Sequence, residues 1–116
     1  MLGTEGTKAV AQRQFDPGWI PSGKSVRFCC VGAVSEAGNT GTVKLYNLTD
    51  AEYVTGTTLS ITGSTGYSYQ ASAALTVGSS SGNLKDTTKT YEVHFSTDGG
   101  AASDILMLPT VYLEFY

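Results

Sequence analysis

The sequence predicts an all-β protein, an antiparallel β-sandwich or jelly-roll-like barrel with an extended N-terminal arm. Three observations carry that expectation. Apolar residues recur at every second position through several short segments, the period of a half-buried strand. Clusters of Gly, Ser, Asn, Asp and Thr separate those segments, and these are the residues of tight turns. The chain has 16 Thr, 12 Ser, 14 Gly and 7 Tyr but only 15% charged residues, a mixture that suits a pleated surface better than a helix. At 116 residues the chain has room for one core of modest size.

Residues 1–23 read as the arm, because Gly3, Gly6, Pro17, Gly18 and Pro21 interrupt any regular period. A helix over Thr7 to Gln14 would be marginal in isolation, since so short a segment barely repays nucleation. Phe15, Trp19 and Ile20 are large apolar groups in this arm, and an ordered arm must bury them against its own domain or against a neighbour. Docking on a neighbour is the favoured expectation.

The sandwich domain is expected over residues 24–116. In "SVRFCCVGAV" the period becomes two: Val26, Phe28, Cys30, Gly32 and Val34 share one face, and Arg27, Cys29, Val31 and Ala33 the other. "EAGNTG" is a turn. Val43, Leu45 and Asn47 then oppose Thr42, Lys44, Tyr46 and Leu48, and Leu59 and Ile61 oppose Thr58 and Ser60. A further strand is expected through "GYSYQASAALTVG", carrying Tyr67, Tyr69, Leu75 and Val77. After the loop "SSSGNLKDTT", Tyr91, Val93 and Phe95 alternate with Glu92, His94 and Ser96. In "DILMLPTVYLEFY", Val111, Leu113 and Phe115 should face inward. Pro109 implies an edge, a bulge or a break, because it cannot donate to a ladder. The closing "VYLEFY" has aromatic residues on both faces and is expected to be covered by sheet neighbours or another subunit.

Chemistry is scarce. A net charge of -3 with seven scattered basic residues argues against nucleic-acid binding, which needs clustered Lys and Arg. No apolar run reaches the length of a membrane span, and the N-terminal stretch lacks the pattern of a secretory signal, so synthesis in the cytoplasm is expected. No catalytic set, cofactor site or metal site is expected. His94 is the only histidine and reads as a half-exposed strand residue. Cys29 and Cys30 lack the spacer that lets two thiolates reach one ion. Asp98 and Asp104 lie near Gly99 and Gly100 but show no regular alternation of calcium ligands. "GNTG" and "GSTG" lie between strands, whereas phosphate cradles adjoin a helix. The sequon Asn47-Leu48-Thr49 is discounted without a secretory signal.

Adjacent strand residues point to opposite faces, so Cys29 and Cys30 should not bridge each other. Cys30 is expected to be a buried hydrophobe and Cys29 the more accessible thiol, able to cross-link a neighbouring subunit in an oxidising exterior.

"VKLYNLTDAEYVTGTTLSITG", "YSYQASAALTVG", "KTYEVHFS" and "VYLEF" resemble the small all-β domains of tailed-bacteriophage structural proteins, including head decoration (cement) proteins and fibre-head domains. The resemblance lies in strand patterns and turns. It implies a non-enzymatic virion component, assembled in many copies and commonly as trimers, whose partners are the major capsid protein or another virion protein and further copies of itself. Phe15, Trp19 and Ile20 would then contact the shell or a sister subunit. The alternative is a receptor- or carbohydrate-binding head, with the tyrosines as its ligand platform.

Overall fold

A computed structural model of the chain describes residues 2–3, 8–35, 38–62, 66–97 and 106–116. Among the described residues nine strands form two antiparallel sheets packed face to face: β1 (Leu2–Gly3), β2 (Lys8–Phe15), β3 (Val26–Val34), β4 (Thr40–Asn47), β5 (Glu52–Tyr53), β6 (Leu59–Thr62), β7 (Ser68–Ala71), β8 (Lys89–Thr97) and β9 (Leu106–Phe115). The first sheet runs β1-β9-β3-β7. The second runs β2-β8-β4-β5, with β6 also pairing on β4. This is the β-sandwich that the period-two patterns anticipate.

The alternation holds where strands are long. Val43, Leu45 and Asn47 of β4 and Tyr91, Val93 and Phe95 of β8 are buried, while the residues between them are half-buried. Val26, Phe28, Cys30 and Val34 of β3 join them in one core with Leu59, Ile61 and Leu84. Each such aliphatic or aromatic side chain contributes about 1.5–3 kcal/mol when fully buried. Val111 and Leu113 of β9 pack against this core from the expected face. Pro109 is accommodated by a bulge. Val31 opposes Thr110 and Ala33 opposes Met107, so Leu108 and Pro109 share the place opposite Gly32.

The N-terminal expectation needs correction. Residues 8–15 of the expected arm are β2, paired with β8 from Lys8–Phe95 to Phe15–Lys89. This stretch is an edge strand of the sandwich, neither a separate arm nor a helix, because β8 offers ladder hydrogen bonds that an isolated eight-residue segment cannot supply for itself. Pro17–Trp19 then form a single 3-10 turn. Asp16 caps it, accepting from Gly18 N at 2.8 Å, and Thr88 Oγ1 donates to the second Asp16 oxygen at 2.9 Å. The strand expected through Tyr67–Val77 is also shorter. Ser68–Ala71 forms the strand, after which Ser72 N and Leu75 N still donate to Phe28 O and Val26 O of β3. Leu75 returns to the core from an irregular segment, and Val77 makes an isolated bridge to Leu84.

Candidate functional site

Of the three aromatic and aliphatic residues expected to meet a partner, the structure leaves one free to do so. Phe15 is 7% exposed and belongs to the core, so its expected role as a contact residue is corrected: β2 carries it inward between the sheets. Ile20 is half-buried and packs on the same core. Trp19 is 59% exposed. Its ring stands edge-on to Phe15, with centroids 5.8 Å apart and planes at 89°, and Phe115 lies 6.2 Å from Phe15 on the other side. Trp19 is therefore an exposed indole held on a buried aromatic footing.

Beside it, the sandwich is open. Arg13, Gln14 and Phe15 of β2 and Val111 and Leu113 of β9 face one another across an apolar cleft of about 180 Å³. Phe28, Leu45 and Val93 line its interior.

The outer face of the first sheet carries a second arrangement. Arg27 and Glu114 are cross-strand partners, joined by an ion pair of 2.5 Å. The Arg27 guanidinium also lies 4.5 Å from the centre of the Tyr116 ring. Next along β3, Cys29 Sγ lies 3.5 Å from Tyr69 Oη and 3.7 Å from Glu114 Oε2. Its hydrogen bond to Cys29, together with desolvation, holds the Tyr69 hydroxyl well above the usual phenol range. Tyr69, Tyr112 and Tyr116 remain partly exposed around this group.

Cys29 itself has no exposed surface, which corrects the expectation of an accessible, cross-linking thiol. The two cysteines do face opposite ways. Cys30 is in the core, where burial and then the neighbouring Cys29 push its thiol up to about 11. Cys29 lies on the outer face but beneath a roof of side chains from β7 and β9. Both thiols are free and buried.

His94 sits on the outer face of the second sheet in a chain of side-chain contacts. Its Nε2 lies 2.8 Å from Glu92 Oε2, its Nδ1 3.1 Å from Tyr53 Oη, and its ring stacks on Tyr46 at 4.6 Å. Gln12 Nε2 donates to the other Glu92 oxygen at 2.7 Å. Hydrogen bonds from His94 and then Gln12 lower the Glu92 carboxyl below its usual range. The hollow beside this line is only about 20 Å³, room for a water rather than a substrate. The geometry is that of a side-chain ladder tying β5, β8 and β2 together.

Periodicity gave no hint of Lys85. It is 8% exposed, its Nζ lies 2.6 Å from Glu52 Oε1, and it donates to Ser80 O at 2.7 Å. With Ser81 donating to the same carboxylate, Glu52 is held at about 2. Asp50, Asp86, Lys85 and Lys89 line a shallow polar hollow there, and mixed signs leave it no net field for an ionic ligand.

Among the described residues, no group of three His, Cys, Asp or Glu converges as metal ligands. Asp98 and Asp104 lie outside the described residues, as does most of "GSTG". Asn47 of the sequon is fully buried, with its amide donating to Asp50 at 2.8 Å, so this side chain presents no acceptor for a glycan. Searches against protein-family models, curated proteins and solved structures found no match to the chain.

Proposed function

We propose that the protein is a non-enzymatic virion structural component, a capsid decoration (cement) protein that attaches by surface contact to the major capsid protein. The resemblance of its strand and turn patterns to phage structural domains supports the assignment to a virion. The observation that carries the attachment is Trp19. A large indole, mostly exposed and seated on a buried ring, is a preordered anchor that loses little freedom on docking. The attached subunits stabilise the shell by bridging neighbours, and no covalent step is required.

Cosedimentation of the purified protein with shells that lack it tests this reading. Trp19→Ala should weaken attachment by roughly 30-fold, the effect of losing about 2 kcal/mol at a central anchor. Unchanged occupancy by this variant would refute it. Deleting residues 1–23 is not a clean alternative, because it would also remove β2 and the core residue Phe15.

The outer face of the first sheet favours a second reading, carbohydrate recognition. Tyr69, Tyr112 and Tyr116 flank the Arg27–Glu114 pair, combining apolar ring faces with charged hydrogen-bonding groups. A glycan array separates the two. Sugar binding that is lost in Tyr112→Ala and kept in Trp19→Ala would favour the platform over the anchor.

A further inference from the structure

We infer that the free edge of β9 is a docking surface for a second copy of this chain, paired antiparallel about a two-fold axis at Leu113. The inference begins with which backbone groups are free. Ser25 and Tyr116 exchange both N–H···O bonds, at 2.7 and 2.9 Å. Antiparallel ladders alternate, so Thr110, Tyr112 and Glu114 also point their backbone groups at β3. Val111, Leu113 and Phe115 therefore direct their N–H and C=O groups to the opposite flank. Among the described residues only β1 lies on that flank, opposite Leu106 and Met107.

Exposed edges of this kind are normally blunted by lysines, prolines or bulges. From Thr110 onward β9 has none of these: its proline and its bulge lie before Thr110, and its one charge, Glu114, is tied to Arg27. The edge is a template for another strand.

The sequence of the edge selects its own copy. With Leu113 opposite the partner's Leu113, Val111 meets the partner's Phe115 on the inner face. On the outer face Tyr112 meets the partner's Glu114 and Thr110 meets the partner's Tyr116. Every pair is apolar with apolar or donor with acceptor, and no like charges oppose. Centring the pairing one residue later would set Glu114 against the partner's Glu114. Centring it one residue earlier would bring Pro109, which has no N–H, into the ladder. Over residues 110–116 the Leu113 register stays clear of the β1 pairing at Leu106 and Met107.

Such a dimer joins the two first sheets into one continuous sheet, with four strands from each copy. It covers Phe115, which is 38% exposed, and brings the partner alongside the cleft that Val111 and Leu113 line. The symmetry is two-fold, unlike the trimer that the resemblance implies, and it holds whether or not Trp19 is the attachment point.

Cysteine cross-linking in the full chain tests the register directly. In this pairing the two Leu113 Cα atoms are about 5.5 Å apart, inside the disulfide range. Leu113→Cys should give a disulfide dimer on mild oxidation, with Cys29 and Cys30 excluded by burial. Thr110→Cys and Tyr116→Cys are two exposed positions that keep the core intact. Each alone should remain uncross-linked, and an equimolar mixture of the two should link. Sedimentation equilibrium of the unmodified protein should show a doubling of mass with concentration. The inference is overturned if the mixture does not link, if either variant links as readily alone, or if the unmodified protein stays monomeric to about millimolar concentration, well above the affinity range of specific interfaces.

Discussion

Gly82→Ala should be among the most damaging small substitutions outside the core, and the structure separates its two causes. Gly82 adopts φ +81°, where an alanine is disfavoured by about 1 kcal/mol. A Cβ there would also lie 2.3 Å from Thr55 Oγ1 and 3.3 Å from Thr55 Cβ. The approach is fixed from both sides, since Thr55 N donates to Gly82 O at 2.6 Å and Gly82 N donates to Glu52 Oε1 at 3.3 Å. Relieving that overlap should add about 1–3 kcal/mol, the usual range for overpacking, for a total of about 2–4 kcal/mol. Gly38 supplies the control: its φ is +87° but among the described residues nothing lies within 4 Å of its Cβ direction, so Gly38→Ala should cost only about 1 kcal/mol. Thr55→Ala removes the offending oxygen, and Gly82→Ala made in that background should fall to nearly the same value. Urea unfolding of the four members of the Thr55/Gly82 cycle measures the coupling. Additive effects, or a Gly82→Ala cost equal to that of Gly38→Ala, would refute the steric account.

Two further outcomes follow from the buried polar contacts. The Glu52 carboxyl titrates at about 2 when folded and near 4.5 when free, so between these values the unfolded chain binds more protons. Its stabilising contribution should be complete above about pH 4.5 and be lost as the pH falls toward 2. Glu52→Gln should flatten the stability profile in that window, as read by unfolding across pH, and an unchanged slope would show that Lys85 does not hold the carboxylate. Tyr69→Ala opens the roof over Cys29, so thiol labelling of the native protein should become faster at Cys29 while Cys30 stays protected. Labelling of Cys30 first would contradict the assignment of faces.

What the sequence revealed depended on whether a strand's own residues specify its place. Strands β4 and β8 lie inside the second sheet with one face in the core, so burial alone imposes the alternation seen in Val43-Lys44-Leu45 and Tyr91-Glu92-Val93. In β2 the pattern is broken by a register shift between Ala9 and Ala11, and Arg13 occupies a position facing the cleft, so pairing to β8 rather than periodicity defines the strand. Without that pairing the segment looks like an arm, and Phe15 looks like a contact residue although it is part of the core. The burial of Cys29 was hidden for a different reason. Parity correctly puts it on the outer face, but β3 lies between β7 and β9, and their long side chains close over it. Strand order is a non-local property that alternation does not encode. Lys85 illustrates the same limit, since its partner Glu52 lies on β5, 33 residues earlier in the sequence.

Strand β9 links these features physically. On one flank it pairs with β3, and through Glu114 it fixes Arg27 and covers Cys29. On the other flank the alternate residues Val111, Leu113 and Phe115 combine free backbone groups with side chains that border the apolar cleft or its aromatic rim. A change at an inward residue therefore acts on the core and on the edge together, whereas a change at an outward residue acts on the Cys29 roof and on the pairs that would face a second copy. This is why the outward positions Thr110 and Tyr116 report on association with least disturbance of the fold. Leu113 marks the axis, but its own packing is inseparable from it.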